Sequence, residues 1–450
     1  MTGDGLRVTG YGLRVTRNLS RVTRHEQAPP NRAQVATPMD SMTEGAPVAP
    51  DYTPNIRRLR AMVAVAESGS VIRAAESLHL SQPTVSRAIS NLEAELGQAL
   101  FERNHSGMRC TAAGDIVLRR FKRVLHHLEE AERSLPQDGQ ARGARLAQHI
   151  SYRQMRVLVT LASLHSEALA ARQLSLGTAA IGGHLRELEK QLGVSLFLRT
   201  RQGLQTTDCG QALALHIGLA LRELVRVPDE LAAWHGRSAG RLVIGAMPFA
   251  GSLLVPRAVS RLLKASPGIS VSILDGTYDA LMDSLHKGEI DILVGVLGGG
   301  ETPQGVSEVN LYTDRLTAVA RRNHPLADCT SLKLSDLLEA QWIAPRQGSP
   351  ARSRFDEAFL DAGLTPPEVA VETGNLVAIQ TLLLDSDRIT LITPTCAALR
   401  DGQLAILPVP VSGGHHSISY YRRDAQPPSP LLDRFCHLLA GIARELEPAA

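Results

Sequence analysis

The sequence predicts an α/β multidomain chain, with helical modules in its N-terminal half and a two-lobed α/β domain in its C-terminal half. Three observations predict it. The 450 residues, 44% hydrophobic and 21% charged, suffice for roughly three domains of about 100–200 residues, and the composition is ordinary enough to fold. The first half matches itself without a gap at an offset of 96 residues, which means one module present twice. From Gly240 the apolar pattern turns into short runs separated by helical stretches, as strands alternating with helices require.

Composition and motifs exclude several classes. Lys+Arg 48 against Asp+Glu 45, a formal net charge of +3, is too balanced to announce a partner by bulk charge. A nucleic-acid footprint therefore has to be local. The cysteines Cys110, Cys209, Cys329, Cys396 and Cys436 are odd in number and far apart. That speaks against a disulfide framework or a metal site and fits a reducing cytosol. No apolar run reaches the roughly 18 residues of a membrane span, and no secretory h-region opens the chain, so a cytoplasmic protein without membrane contact is expected. P-loop, GxSxG and HExxH patterns and a GxGxxG after a strand are absent, so neither an enzyme nor a cofactor is expected. Gly298-Gly299-Gly300 reads as a turn, and His415-His416, lacking a third ligand nearby, as an exposed pair.

Residues 1–53 carry Arg7, Arg14, Arg17, Arg21, Arg24 and Arg32 among small and polar residues, and repeat Gly-Leu-Arg-Val-Thr at 5–9 and 12–16. They read as a disordered basic arm, or as untranslated upstream sequence if the start is Met39 or Met42. The next segment, 54–114, reads as three helices and a hairpin. Ile56, Leu59, Met62, Val63 and Ala66 recur at helical spacing up to a turn at Gly69. Ser70 caps a short helix through Ala74, Ala75 and Leu78. Ser81 caps a third helix that tolerates Pro83 in its first turn and buries Val85, Ile89, Leu92 and Leu96 before closing at Gly97. Two short helices joined tightly are a helix-turn-helix, whose second helix enters the DNA major groove. Residues 100–103 and 108–111 flank a turn at 104–107 and form a hairpin wing.

The exposed side of the third helix presents Gln82, Thr84, Ser86, Arg87, Ser90 and Asn91. These reach base edges and phosphates, and the helix N-terminus adds its amides. A solvated face on an ordinary helical bundle would also be polar; Glu93 and Glu95, further along, are what such a face carries. The ordered set Ala61-x-x-x-Val65-Ala66-x-x-Gly69-Ser70, Ala74-Ala75-x-x-Leu78, Leu80-Ser81-Gln82-Pro83-Thr84-Val85-Ser86-Arg87-x-Ile89, Leu92-Glu93-x-x-Leu96-Gly97-x-x-Leu100-Phe101-x-Arg103 and Thr111-x-x-Gly114 separates the two. It resembles the winged helix-turn-helix of the LysR-type transcriptional regulators. The resemblance implies DNA contacts from Ser81, Gln82, Pro83, Thr84, Ser86, Arg87, Ser90 and Arg103, and homodimers or homotetramers on double-stranded DNA. It also implies a long subunit-pairing helix after the wing. Residues 115–148 supply that helix and a linker at 137–143: Ile116, Val117, Phe121, Val124, Leu125, Leu128 and Leu135 form an apolar stripe, with Arg119, Arg120, Lys122 and Arg123 expected opposite it.

The second copy, 149–236, departs from the pattern. Where the first reads Ser81 to Arg87 it reads Gly177-Thr178-Ala179-Ala180-Ile181-Gly182-Gly183. Interior glycines cost about 1 kcal/mol each in a helix, while Ile181, Leu185, Leu188 and Leu192 keep the core. A module that packs or assembles is expected, with Thr178, His184 and Arg186 still able to touch a phosphate backbone; a second DNA reader is the competing expectation.

Residues 237–450 carry the strand-and-helix alternation. Strands are expected at 241–245, 269–274, 290–295, 316–321, 341–344, 368–373, 388–392 and 404–408. Helices are expected at 253–263, 280–287, 334–338, 353–362, 376–384 and 431–446. This order resembles the LysR-type effector-binding domain, related in fold to periplasmic solute-binding proteins. Ligands of such sheets sit at strand C-termini. Matching turns to the family places a small-molecule effector near Met247, Pro248, Phe249, Thr277, Tyr278, Pro345, Arg346, Gln347, Asn375 and Thr393, with Ser252 replacing a hydroxyl that Phe249 lacks. Arg346 points to a carboxylate. The function expected is a ligand-responsive DNA-binding regulator; the alternative is a solute-binding or sensor protein whose N-terminal modules only assemble.

Overall fold

Helix α1 (Ile56–Ser68) begins where Asn55 Oδ1 accepts the amides of Arg57 at 3.0 Å and Arg58 at 3.3 Å, satisfying donors the helix itself cannot pair. It ends at Gly69, whose φ of 65° admits the reversal into α2 (Val71–Leu78). His79, at φ 53°, closes α2 and leads to α3 (Gln82–Leu96). Strands β1 (Phe101–Asn104) and β2 (Gly107–Cys110) pair antiparallel from Phe101↔Cys110 to Asn104↔Gly107. A Cβ on Gly107 would stand 2.4 Å from the Gly69 carbonyl oxygen, which accepts the Met108 amide at 2.9 Å. The wing is thereby fastened to the end of α1. Thr111 then caps the long α4 (Ala112–Arg133).

This computed structural model describes residues 55–104, 107–136, 146–201, 203–235, 240–248, 253–296, 302–394, 402–411, 415–426 and 429–446. All of these fall within the unit that runs from Gly45 to Ala450. The expected basic arm, the 137–143 linker, Phe249, Ser252 and the three-glycine turn lie outside the described residues.

After the single turn α5 (Leu146–His149), the second copy repeats the first: α6 (Tyr152–Leu164), α7 (Glu167–Gln173), α8 (Thr178–Leu192), β3 (Phe197–Thr200), β4 (Gly203–Thr206) and α9 (Asp208–Trp234). Its hairpin runs from Phe197↔Thr206 to Thr200↔Gly203, the register of the first copy moved by 96. Helix α9 passes through Pro228 to Trp234, although an interior proline forfeits one helical hydrogen bond.

The two long helices pack antiparallel: Arg120 of α4 reaches Glu223 and Glu230 of α9, and Arg123 reaches Glu223. Val117, Phe121, Val124, Leu128 and Ala131 meet Leu213, Ile217, Ala220, Leu224 and Val227 in one core shared by both copies. The pairing the resemblance placed between subunits thus occurs within one chain. Arg120 also corrects the expected stripe. It is 3% exposed and lies on the packed face, because two carboxylates await it there.

The C-terminal half forms two sheets. In the first, order β6-β5-β7-β14-β8, β5 (Arg241–Ala246) pairs parallel with β6 (Ser270–Asp275) and β7 (Ile292–Gly295). Helices α10 (Leu254–Ala265) and α11 (Tyr278–His286) link these strands. The ten-residue β8 (Val306–Arg315) leaves this lobe for the second, order β11-β10-β12-β9-β13. There β9 (Thr317–Arg321), the 3₁₀ turn Leu334–Leu337, β10 (Trp342–Ala344), α12 (Pro350–Leu360), β11 (Val369–Glu372), α13 (Leu376–Leu384), β12 (Ile389–Ile392) and β13 (Leu404–Ile406) follow. Strand β14 (His415–Arg423) returns to pair antiparallel with β7 and β8, and α14 (Pro430–Leu446) covers the first sheet. The sheets are mixed: the crossing strands run against the βαβ units they join. His415 and His416 open β14 opposite Arg315 and Asp314.

Candidate nucleic-acid interface and ligand cleft

The third helix of copy one is held by its cap and its core. Ser81 Oγ accepts the Thr84 amide at 3.4 Å and lies 2.7 Å from Thr84 Oγ1, with Pro83 in the first turn. Val85, Ile89 and Leu92 are buried, which turns Gln82, Pro83, Thr84, Arg87, Ser90 and Asn91 outward; Ser86 is half-buried. Arg103 stands exposed on β1. Neither Arg87 nor Arg103 enters an ion pair among the described residues. Their charge therefore faces solvent, as a polyanion's partner must.

Glu93 had a role that sequence reasoning missed. Its Oε1 accepts the amides of Leu100 at 2.8 Å and Phe101 at 3.2 Å, fixing the wing to α3. Glu189 does the same for Leu196 at 2.7 Å and Phe197 at 3.3 Å. The signal was present: this glutamate recurs at the 96-residue offset. Glu95 pairs with Arg58, so neither glutamate is the free surface charge it looked like.

In copy two, α8 begins at Gly177 with no side-chain cap. Thr178, Ala179, Ala180 and Arg186 are exposed, Gly183 and His184 half-buried. Gly183 occupies the place of Arg87, and a Cβ there would meet nothing within 4 Å. Space for a reading side chain exists; the side chain does not. Arg199, the counterpart of Arg103, is tied to Glu167 at 2.6 Å.

The other predicted residues gather at strand ends of the two lobes. Met247 and Pro248 follow β5, and Met247 Sδ would lie 2.3 Å from a Cβ on Gly295, at the end of β7. Thr277 follows β6 and caps α11, its Oγ1 accepting the Ala280 amide at 3.4 Å, with half-buried Tyr278 beside it. From the second lobe, Pro345, Arg346 and Gln347 follow β10, Asn375 follows β11 and caps α13 at 3.1 Å from the Ala378 amide, and buried Thr393 follows β12. The two sets face each other, since a Cβ on Gly374 would lie 3.6 Å from Pro248 Cγ. Arg346 and Gln347 are exposed. A second cation at this edge, Arg352, escaped the sequence reading. It is bound to Asp356 at 2.9 Å and Glu372 at 2.8 Å and its charge is spent locally.

A cavity of about 820 Å³ lies elsewhere, between α4, α9 and the first lobe, lined by Arg119, Arg123, Arg226, Asp229 and Trp234 among others. Beside it α9 is fastened to that lobe. Arg226 pairs with Asp291, Asp291 Oδ2 accepts the Val243 amide at 2.9 Å, and Arg222 Nε donates to the Lys287 carbonyl at 3.1 Å.

Comparison with known proteins matches the same parts. Residues 56–115 and 152–211 each match the family described as bacterial regulatory helix-turn-helix protein, lysR family, and residues 235–443 match the LysR substrate binding domain. The HTH-type transcriptional regulator GalR of Pseudomonas putida is 35% identical over 379 residues, covering 84% of this chain and 94% of that protein. The HTH-type transcriptional regulator PcaQ of Agrobacterium fabrum is 28% identical over 287 residues, 63% of this chain and 92% of its own. Among solved structures, a full-length OxyR variant from Pseudomonas aeruginosa shares the fold at 20% identity and a TM-score of 0.51, over 66% of this chain and 95% of its own.

Proposed function

The chain belongs to the LysR family of transcriptional regulators, with a second helix-turn-helix in tandem, and on that premise we propose a division of labour inside it. Copy one reads operator DNA through Gln82, Thr84, Ser86, Arg87 and Ser90, with Ser81 and Pro83 shaping the helix start and Arg103 on the backbone. Copy two assembles and transmits, through α9 and its Arg226–Asp291 link to the first lobe. The strand-end cleft takes a small-molecule effector bearing a carboxylate, held by Arg346. The protein works as a cytoplasmic regulator and not as an enzyme; no helix among the described residues is long and apolar enough to cross a membrane.

The observation that carries this reading is the capped α3 with its outward, uncommitted Arg87. Arg87→Ala should lower operator affinity by about 1–3 kcal/mol and relax base preference at one position. Arg103→Ala should weaken binding to all sequences alike and lower the salt slope by about 1. A footprint unchanged by Arg87→Ala together with Gln82→Ala sinks the assignment. For the cleft, small carboxylates should raise the melting temperature, by about 2.7 kcal/mol of added stability at a hundredfold excess over Kd. Arg346→Ala should abolish the shift; a full response in that variant removes the arginine from the site.

A further inference from the structure

The pairing of α4 with α9 carries a selection rule. The contacts of Arg120 with Glu223 and Glu230 set an antiparallel register, and the 96-residue offset gives each partner a counterpart in the other copy. The counterpart of Glu223 is His127, that of Glu230 is Ser134, and that of Arg120 is His216. Where the quasi-twofold would repeat the Arg120–Glu223 pair, His216 instead stands within electrostatic range of His127. Its Nδ1 is buried without a hydrogen-bond partner among the described residues. The stripe is apolar on both helices, with Leu128 and Leu224 its one identical pair, so apolarity by itself favours no pairing over another. The ionic cluster does.

Consider the two homotypic pairs in this register. An α4 against α4 of another chain would set buried Arg120 against His127 and Ser134, with no carboxylate at either position and Glu130, already paired with Arg133, as the carboxylate nearby. An α9 against α9 would set Glu223 and Glu230 against His216 and leave Glu223 only Arg226 of its own helix, which Asp291 of the first lobe already holds. A buried charge stripped of its partner is strongly destabilising, and polar groups in a helical seam select partners for this reason.

We propose that the Arg120–Glu223–Glu230 cluster makes this pairing heterotypic, so that one polypeptide forms an asymmetric DNA clamp. One half-site is read by α3, and the adjoining half is held through its backbone alone by copy two. The inference rests on the reading of copy one as the base reader. The ligand is a duplex whose two halves differ in what they must specify, unlike the inverted repeat that two identical readers require.

The test is binding-site selection and hydroxyl-radical footprinting with the full chain. Backbone protection should extend over both halves while base preference is confined to one. Scrambling the unread half should change affinity less than about threefold, and scrambling the read half should lower it by about tenfold or more. An inverted repeat whose two preferred halves adjoin overturns the proposal, because it requires two copy-one readers side by side, whereas two clamps of an oligomer would each add an unread half. Loss of all base preference overturns the reading of copy one instead, and a second variant then still decides the pairing. Arg120→Leu/Glu223→Leu/Glu230→Leu should stay folded, since apolar replacement of a buried ion cluster is often neutral or stabilising. It should also pair promiscuously, seen as interchain crosslinks between α4 helices that the unaltered chain does not give. If the triple variant pairs as the unaltered chain does, the tether and not the cluster sets the partner, and the selection rule is wrong.

Discussion

Copies one and two hold the same skeleton and differ in what that skeleton displays. Thr111 and Thr207 cap their helices through the amides of Gly114 at 2.9 Å and Gly210 at 3.0 Å. A Cβ on either glycine would stand 2.1 Å from the carbonyl oxygen of Leu100 or Leu196. Glu93 and Glu189 fasten the wings identically. The outward residues Ser81, Gln82, Pro83 and Arg87 become Gly177, Thr178, Ala179 and Gly183. Buried geometry and surface chemistry are therefore separable: one set of residues makes the winged module, and another, on the proposed division of labour, makes it a reader.

The largest effect should come from where the copies meet. Arg120→Ala leaves Glu223 and Glu230 without the guanidinium they surround and should destabilise the paired helices by about 3–5 kcal/mol, measured by denaturant unfolding. Next are the shared glycines. Gly114→Ala and Gly210→Ala each force a Cβ onto a backbone oxygen and should cost about 1–3 kcal/mol, by similar amounts in the two copies. A harmless Gly210→Ala would mean copy two no longer needs the skeleton and would break the comparison. The smallest change should be a gain: Gly183→Ala fills open space in a helix interior and should stabilise by about 1 kcal/mol, without adding any base preference.

Acid should weaken the helix pair. Burial pushes His127 down to about 4, against the modest opposing pull of Glu223. The folded state thus holds this ring neutral while the unfolded chain protonates it near 6.5. The stabilisation is present above about pH 6.5 and is lost as pH falls toward about 4. His127→Leu should flatten that part of the stability profile; an unchanged slope would place the titration elsewhere.

The modules were legible in the sequence because their punctuation is local. Ser70, Ser81 and Thr111 are caps within three residues of what they bind, and the 96-residue offset exposes the duplication. The long-range features were not legible. Strands β8 and β14 carry mixed polar patterns that become strands by pairing with each other across a hundred or more residues of chain, β14 also pairing with β7. Arg120 looks like surface charge until Glu223 and Glu230, far along the chain, are folded against it. An interior proline ordinarily ends or kinks a helix, yet α9 continues past Pro228 because its packing against α4 outweighs one lost hydrogen bond. In the cleft, Arg346 was visible in its turn, but the neutralisation of Arg352 by Asp356 and Glu372 depends on a contact with the neighbouring strand.

The central claim, that one copy chooses bases and the other does not, is tested most directly by comparing two matched double variants in binding-site selection. Gln82→Ala/Arg87→Ala strips the reading face of copy one, and Thr178→Ala/Arg186→Ala strips its counterpart in copy two. The first should erase the selected motif while leaving residual, salt-sensitive binding. The second should lower affinity evenly across all sequences and leave the motif as it was. A motif that survives the first pair of substitutions and is altered by the second would contradict the account.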